Sequence, residues 1–290
     1  MADRKDIDEV SGVETTGHEW NGIKELNNPL PLWWLYTFYA CIVWGLAYTV
    51  FYPAWPMISG ATTGVLGYST RGAVMEDIAE DAASKSVYVD RIAGMDLPDI
   101  QADADLNQFA LAGGASVYRN NCSQCHGSGA AGGVGYPNLN DDDWLWGGSL
   151  EAIYATLAHG IRAMDDDDSR FSMMPAFGQD ELLSRPEIAQ VVEHVLAISG
   201  QTHDAAMAVD GAVLFEENCS ACHGENANGN QDLGAPNLSD AIWLYGGDRA
   251  SLTTTIVYSR AGMMPGWLER LGEARVKEVT LYVHSLGGGQ

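Results

Sequence analysis

Asn121-Cys122-Ser123-Gln124-Cys125-His126-Gly127 recurs, with one internal change, as Asn218-Cys219-Ser220-Ala221-Cys222-His223-Gly224. Cys-x-x-Cys followed at once by His is the attachment pattern of a c-type haem. Two thiols add to the vinyl groups of one porphyrin, and the adjacent imidazole sits beneath the iron. A closed zinc site would have to draw four ligands together, and it would leave unexplained why a histidine follows both pairs. The pattern predicts two covalently bound haem c groups. Cys122, Cys125, Cys219 and Cys222 are the attachment residues, with His126 and His223 as proximal iron ligands.

The repetition extends outward from the motifs. Pro137-Asn138-Leu139 and Trp144-Leu145-Trp146-Gly147-Gly148 answer to Pro236-Asn237-Leu238 and Trp243-Leu244-Tyr245-Gly246-Gly247, and Met173-Met174-Pro175 answers to Met263-Met264-Pro265. Two long units are related modules, since a solenoid needs three or more shorter ones. Each is small for a self-sufficient core, and a bound haem supplies the missing apolar interior. A helix from about Asp105 carries Gly114 and Tyr118, matched by Gly211 and Phe215. Terminal helices carry Val191, Val192, Val195 and Ile198 in one module and Val276, Val279, Tyr282, Val283 and Leu286 in the other. The small residue lets the terminal helix cross closely.

Each iron needs a sixth ligand. A thioether beside a proline, some tens of residues past the motif, fits, because proline fixes a non-helical approach to the haem face. Met174 and Met264 abut the proline and are preferred to Met173 and Met263. His/Met ligation raises the reduction potential and closes the site to oxygen, which favours electron transfer over catalysis. His159 and His194 align with Tyr258 and Tyr282, so neither position demands an imidazole; with His18, His203 and His284 they are expected at the surface or in structural roles. His159 is a minor rival to Met174.

Leu32–Tyr52 is uncharged and about as long as the ~20 residues that a membrane-spanning helix needs. Trp33, Trp34, Tyr36, Phe51, Tyr52 and Trp55 form aromatic belts at its ends. Arg4, Lys5 and Lys24 precede it and the next cation is Arg71. That asymmetry puts the N-terminus in the cytoplasm and the haem modules outside, with the span as an uncleaved anchor in a bacterial inner membrane. The expected fold is all-α. A cytoplasmic segment (1–31), a transmembrane helix (32–52) and a periplasmic tether (53–104) precede two tandem class I cytochrome c-like domains (105–200 and 207–290). Cys41 lies within the span as a small hydrophobe, so no disulfide is expected.

The formal charge is −24. It keeps the protein soluble in salt or steers a cationic partner, and it excludes nucleic acid, whose phosphates need the opposite sign. Between Gly160 and Met173 the first module is longer by nine residues and carries Asp165-Asp166-Asp167-Asp168, a solvated loop with room for a docking role.

Gly17-His18-Glu19-Trp20-Asn21-Gly22-Ile23-Lys24-Glu25-Leu26-Asn27-Asn28-Pro29-Leu30-Pro31, followed by Trp33-Trp34, the tether with Tyr52-Pro53 and both modules, resembles the dihaem subunit (subunit III, the P subunit) of cbb3-type cytochrome c oxidases. The resemblance implies an electron relay with no oxygen-reducing centre of its own. It also implies a haem-copper catalytic subunit and a monohaem cytochrome subunit as partners, soluble cytochrome c as donor, membrane lipid around the anchor, and haem ligands at His126, Met174, His223 and Met264. A free-standing membrane dihaem cytochrome would not need Gly17–Pro31 in this form. A dihaem peroxidase would need an iron able to open its sixth position, against two Met-Met-Pro loops.

Overall fold

The computed structural model describes residues 6–289, so Arg4, Lys5 and Gln290 lie outside the described residues. The chain divides into two compact units, 1–84 and 85–290.

In the first unit, β1 (Thr15–Trp20) and β2 (Ile23–Leu26) pair antiparallel, with Trp20 opposite Ile23. Asn21 and Gly22 turn the hairpin at φ of 50° and 86°, the left-handed pair that a two-residue Asn-Gly connection supplies. Within the segment read only as polar, this strand pair was not expected. α1 (Leu32–Phe51) follows, 20 residues long, uncharged throughout, with Pro31 before its first turn. None of its side chains is buried, as suits a helix whose apolar surface faces lipid. A small hairpin of β3 (Pro56–Met57) and β4 (Gly60–Ala61) leads to α2 (Thr70–Gly94).

In the second unit the end of α2 is core rather than tether. Ile92 joins Leu97 and Ile100 of α3 (Leu97–Ala102), and these pack with Leu106 and Ala110 of α4 (Ala104–Asn121) and with Ala274 and Leu281. The tether expected to run to 104 thus gives way to the globular unit at Lys85. Helix α4 is capped by Asp103, which accepts from the Leu106 amide at 3.1 Å, so it begins at Ala104, one residue ahead of the expected Asp105. α5 (Ser123–His126) carries the first motif and α6 (Leu150–His159) follows. α7 (Arg185–Ile198) opens with a capping box from Ser184 and Glu187. α8 (Ala205–Asn218) leads to α9 (Ser220–His223) with the second motif, then α10 (Arg249–Tyr258), α11 (Leu268–Leu271) and α12 (Glu273–His284).

The packing partners are not those of two self-contained repeats. α4 crosses α12, and α7 crosses α8. At the first crossing a Cβ on Gly114 would collide with the Glu278 carbonyl; at the second, one on Gly211 would collide with that of Gln190. The close crossings expected from the two glycines are present, but each joins a helix of one repeat to the terminal helix of the other. Residues 174–258 accordingly make one contiguous helical unit, which carries the second Cys-x-x-Cys-His motif. It is inserted into the other, which consists of α3 to α6 together with residues 264–289. Two straps, 160–173 and 259–263, carry the chain out and back. They are tied at both ends: the Ser259 hydroxyl donates to the Met174 carbonyl at 2.7 Å, and Ile161 pairs with Met264.

Candidate functional site

Gly127 and Gly224 end the one-turn helices α5 and α9 at φ of 80° and 81°. The loop beyond then brings a proline carbonyl over each histidine. His126 Nδ1 lies 3.1 Å from the Pro137 carbonyl and His223 Nδ1 lies 3.0 Å from that of Pro236. A carbonyl can only accept, so Nδ1 carries the proton in both rings and Nε2 keeps its lone pair, the arrangement of a metal-ligating imidazole. Burial holds both imidazoles below their ordinary pKa, which favours the neutral ligand form.

His126 lines a cleft whose walls are almost wholly apolar, as cofactor-binding clefts are. Its other walls include Cys122, Leu139, Trp144, Trp146 and Met264. Cys122 is buried and Cys125 exposed, so one thiol lies in the wall and one at the rim. Burial pushes the Cys122 and Cys219 thiols up to about 11.

The methionine in the His126 cleft comes from the second repeat. Met174 packs instead on the core formed by Phe215, Ala227, Leu252 and Ile256, beside Cys219, Leu238 and Trp243. That is the unit of His223. Met173 and Met263 are 60% and 66% exposed, so in each pair the residue abutting proline turns inward. Two thiols at one edge, an imidazole with a free Nε2 and a thioether in the same apolar cleft fit an iron porphyrin. The fit is to the crossed pairs His126 with Met264 and His223 with Met174.

His159 does not line the His126 cleft. Its Nδ1 bonds Asp166 at 3.0 Å, so the ring anchors the acidic loop. His194 tilts against Phe215 with ring centroids 5.2 Å apart, a packing role. Sequence reasoning passed over Arg170 and Arg260, although Arg-x-x-Met-Met-Pro occurs twice.

Residues 109–195 and 206–283 match the family model of cytochrome c oxidase, cbb3-type, subunit III, and residues 12–59 match that of the N-terminal domain of cytochrome oxidase-cbb3, FixP. The chain is 57% identical over 276 residues to a cbb3-type cytochrome c oxidase subunit CcoP of Cereibacter sphaeroides, covering 95% of each. It is 50% identical to the FixP subunit of Sinorhizobium medicae over the whole of both chains. The CcoP subunit of Azospirillum brasilense is likewise 50% identical, with 99% of each chain covered.

Proposed function

The chain belongs to the subunit III family of the cbb3-type cytochrome c oxidases, and from that premise we propose that it relays electrons through two haems c. Soluble periplasmic cytochrome c delivers them, and the monohaem and haem-copper subunits of the oxidase receive them. Haem-dependent electron transport within a respiratory oxidoreductase complex comes with membership of the family. The number of haems, the donor and the direction of transfer are our reading.

The cleft shared by His126 and Met264 carries it. A bound haem supplies a reversible one-electron centre. The protein's part is to fix the imidazole through the Pro137 carbonyl, to offer a soft sulfur on a rigid strap, and to keep water off the iron with Leu139, Trp144 and Trp146. With His126 and Met264 both given to the iron, a bound haem would serve electron transfer and would offer oxygen no open position. In this reading Cys122 and Cys125 hold one haem with His126 and Met264, and Cys219 and Cys222 hold the other with His223 and Met174. The N-terminus is cytoplasmic and the haem units periplasmic, supported by Lys24 before α1 and Arg71 as the first cation after it.

Affinity purification through a tag on this chain, from membranes of cells making the oxidase, tests the proposal. A haem-copper subunit should co-purify, and the band of this chain should keep its haem stain after denaturing electrophoresis. Recovery of the chain without that subunit would leave the free-standing cytochrome as the reading.

A further inference from the structure

Arg170-Phe171-Ser172-Met173-Met174-Pro175 and Arg260-Ala261-Gly262-Met263-Met264-Pro265 each place an arginine four residues ahead of the inward methionine. The two arginines do the same thing. The Arg170 guanidinium lies 5.4 Å from the centroid of the Trp146 ring, and its Nη1 donates to the Trp146 carbonyl at 3.2 Å. The Arg260 guanidinium lies 5.2 Å from the Tyr245 ring, and its Nη1 donates to the Tyr245 carbonyl at 3.0 Å. Trp146 and Tyr245 are equivalent positions of the repeat.

Neither arginine forms an ion pair among the described residues, in a chain with 39 Asp and Glu against 15 Lys and Arg. Arg170 Nη2 donates to the Ala152 carbonyl at 3.2 Å, while Nε is buried without a partner. Asp232 attracts the Arg170 guanidinium without forming an ion pair with it; a guanidinium held among carbonyls and an indole, with a donor unmet, is favoured when an anion joins it directly. Trp146, which it covers, is a wall of the His126 cleft. A haem seated there brings two propionate carboxylates, the anions that a planar guanidinium fork binds best.

We propose that Arg170 and Arg260 are the propionate partners of the two haems, Arg170 for the haem of His126 and Arg260 for that of His223. Each strap then holds one haem by its guanidinium and the iron of the other by its methionine. The inference rests on the two-haem reading above. A fixed cation at the haem edge disfavours the more positive, oxidised iron, so it raises the reduction potential. It also keeps the propionate ionised across the neutral range.

The test is spectroelectrochemical titration of the full-length chain in detergent between pH 5.5 and 8.5. Arg170→Gln and Arg170→Lys are compared with wild type, each also with Cys219→Ala and Cys222→Ala so that only the His126 haem remains. Arg170→Gln should lower the potential of that haem and make it pH-dependent, as the released propionate titrates. Arg170→Lys should keep both properties near wild type. Should Arg170→Gln fail to retain haem, the lysine variant decides. A wild-type-like, pH-independent potential supports the proposal; a lowered, pH-dependent one overturns it, because the cation would be present without effect. A full haem complement with unchanged, pH-independent potential in Arg170→Gln also overturns it. Wild-type protein without haem at either motif would instead sink the two-haem reading.

Discussion

Ile161 and Met264 exchange backbone hydrogen bonds in both directions, each 2.9 Å long. This two-way clasp, with the Trp267 amide donating to the Leu157 carbonyl at 2.9 Å, brings the second Met-Met-Pro loop into the unit of the first haem motif. Met264 could not leave the His126 cleft without undoing it.

Crossed ligation is tested by removing one methionine at a time from a chain with one haem. With Cys219→Ala and Cys222→Ala, only the His126 haem remains. Met264→Ala should then abolish its sulfur-to-iron charge-transfer band and lower its potential, while Met174→Ala should leave both intact. The reverse result would return each methionine to its own repeat.

The insertion predicts which fragments are complete. Residues 173–260, exported and matured alone, should give one six-coordinate low-spin haem, because that stretch holds His223, Met174 and the core around them. Residues 207–290 should attach haem at Cys219 and Cys222 yet lack Met174 and α7, giving a high-spin or unstable product. Resonance Raman spin-state markers distinguish the two.

Gly114 and Gly211 sit where backbone meets backbone. Alanine at either position should destabilise the fold by about 3 kcal/mol, the upper part of the range for overpacking. Gly129→Ala, which would meet nothing within 4 Å, should change stability little. Denaturant unfolding of the three variants checks this.

Glu278, buried on α12 against Gly113, has its carboxyl pushed up to about 7 by burial, with Arg275 and Lys85 pulling the other way. The folded value lies above the ordinary 4.5. Its contribution is therefore fully present below about pH 4.5 and is lost as pH rises through 7. Glu278→Gln should be more stable than wild type at pH 8 by on the order of 1–2 kcal/mol, after allowance for solvent screening, and no more stable at pH 4.5. Thermal unfolding at the two pH values gives the comparison.

Within the acidic loop, Asp166 accepts from the Asp168 amide at 2.8 Å as well as holding His159, so it is structural. Asp165, Asp167 and Asp168 are the ones to neutralise. Changing these three to asparagine should slow bimolecular reduction by a basic donor cytochrome at low salt and have little effect at high salt, where charges separated by more than about 8–10 Å are screened. Stopped-flow rates at several ionic strengths measure it; equal rates at low salt would leave the loop with a solvation role only.

The tandem cytochrome modules, the membrane helix and the glycine-mediated helix contacts were legible in the sequence, because each rests on local chemistry or spacing. The crossing was not. Gly114 and Gly211 would accept either terminal helix, and the apolar stripes of α7 and α12 are alike. Periodicity says which face is buried, never against which copy. Ile92, Leu97 and Ile100 were passed over for a different reason: they are sparse in a polar stretch, and their partners Ala274 and Leu281 lie far along the chain. Arg170 and Arg260 lay in plain view within the repeat, but an arginine carries no haem signature by itself.

The nesting of the unit of His223 inside that of His126 also sets an order of completion. Ribosomes deliver the chain N-terminus first, so the motif at Cys122 appears early while Met264 and α12, which close its cleft, are made near the end. The unit of His223 has every part it needs once Tyr258 has emerged. The site that comes first along the sequence is therefore the last to be finished, and a chain cut short after Tyr258 would carry the His223 unit complete and leave the His126 cleft open.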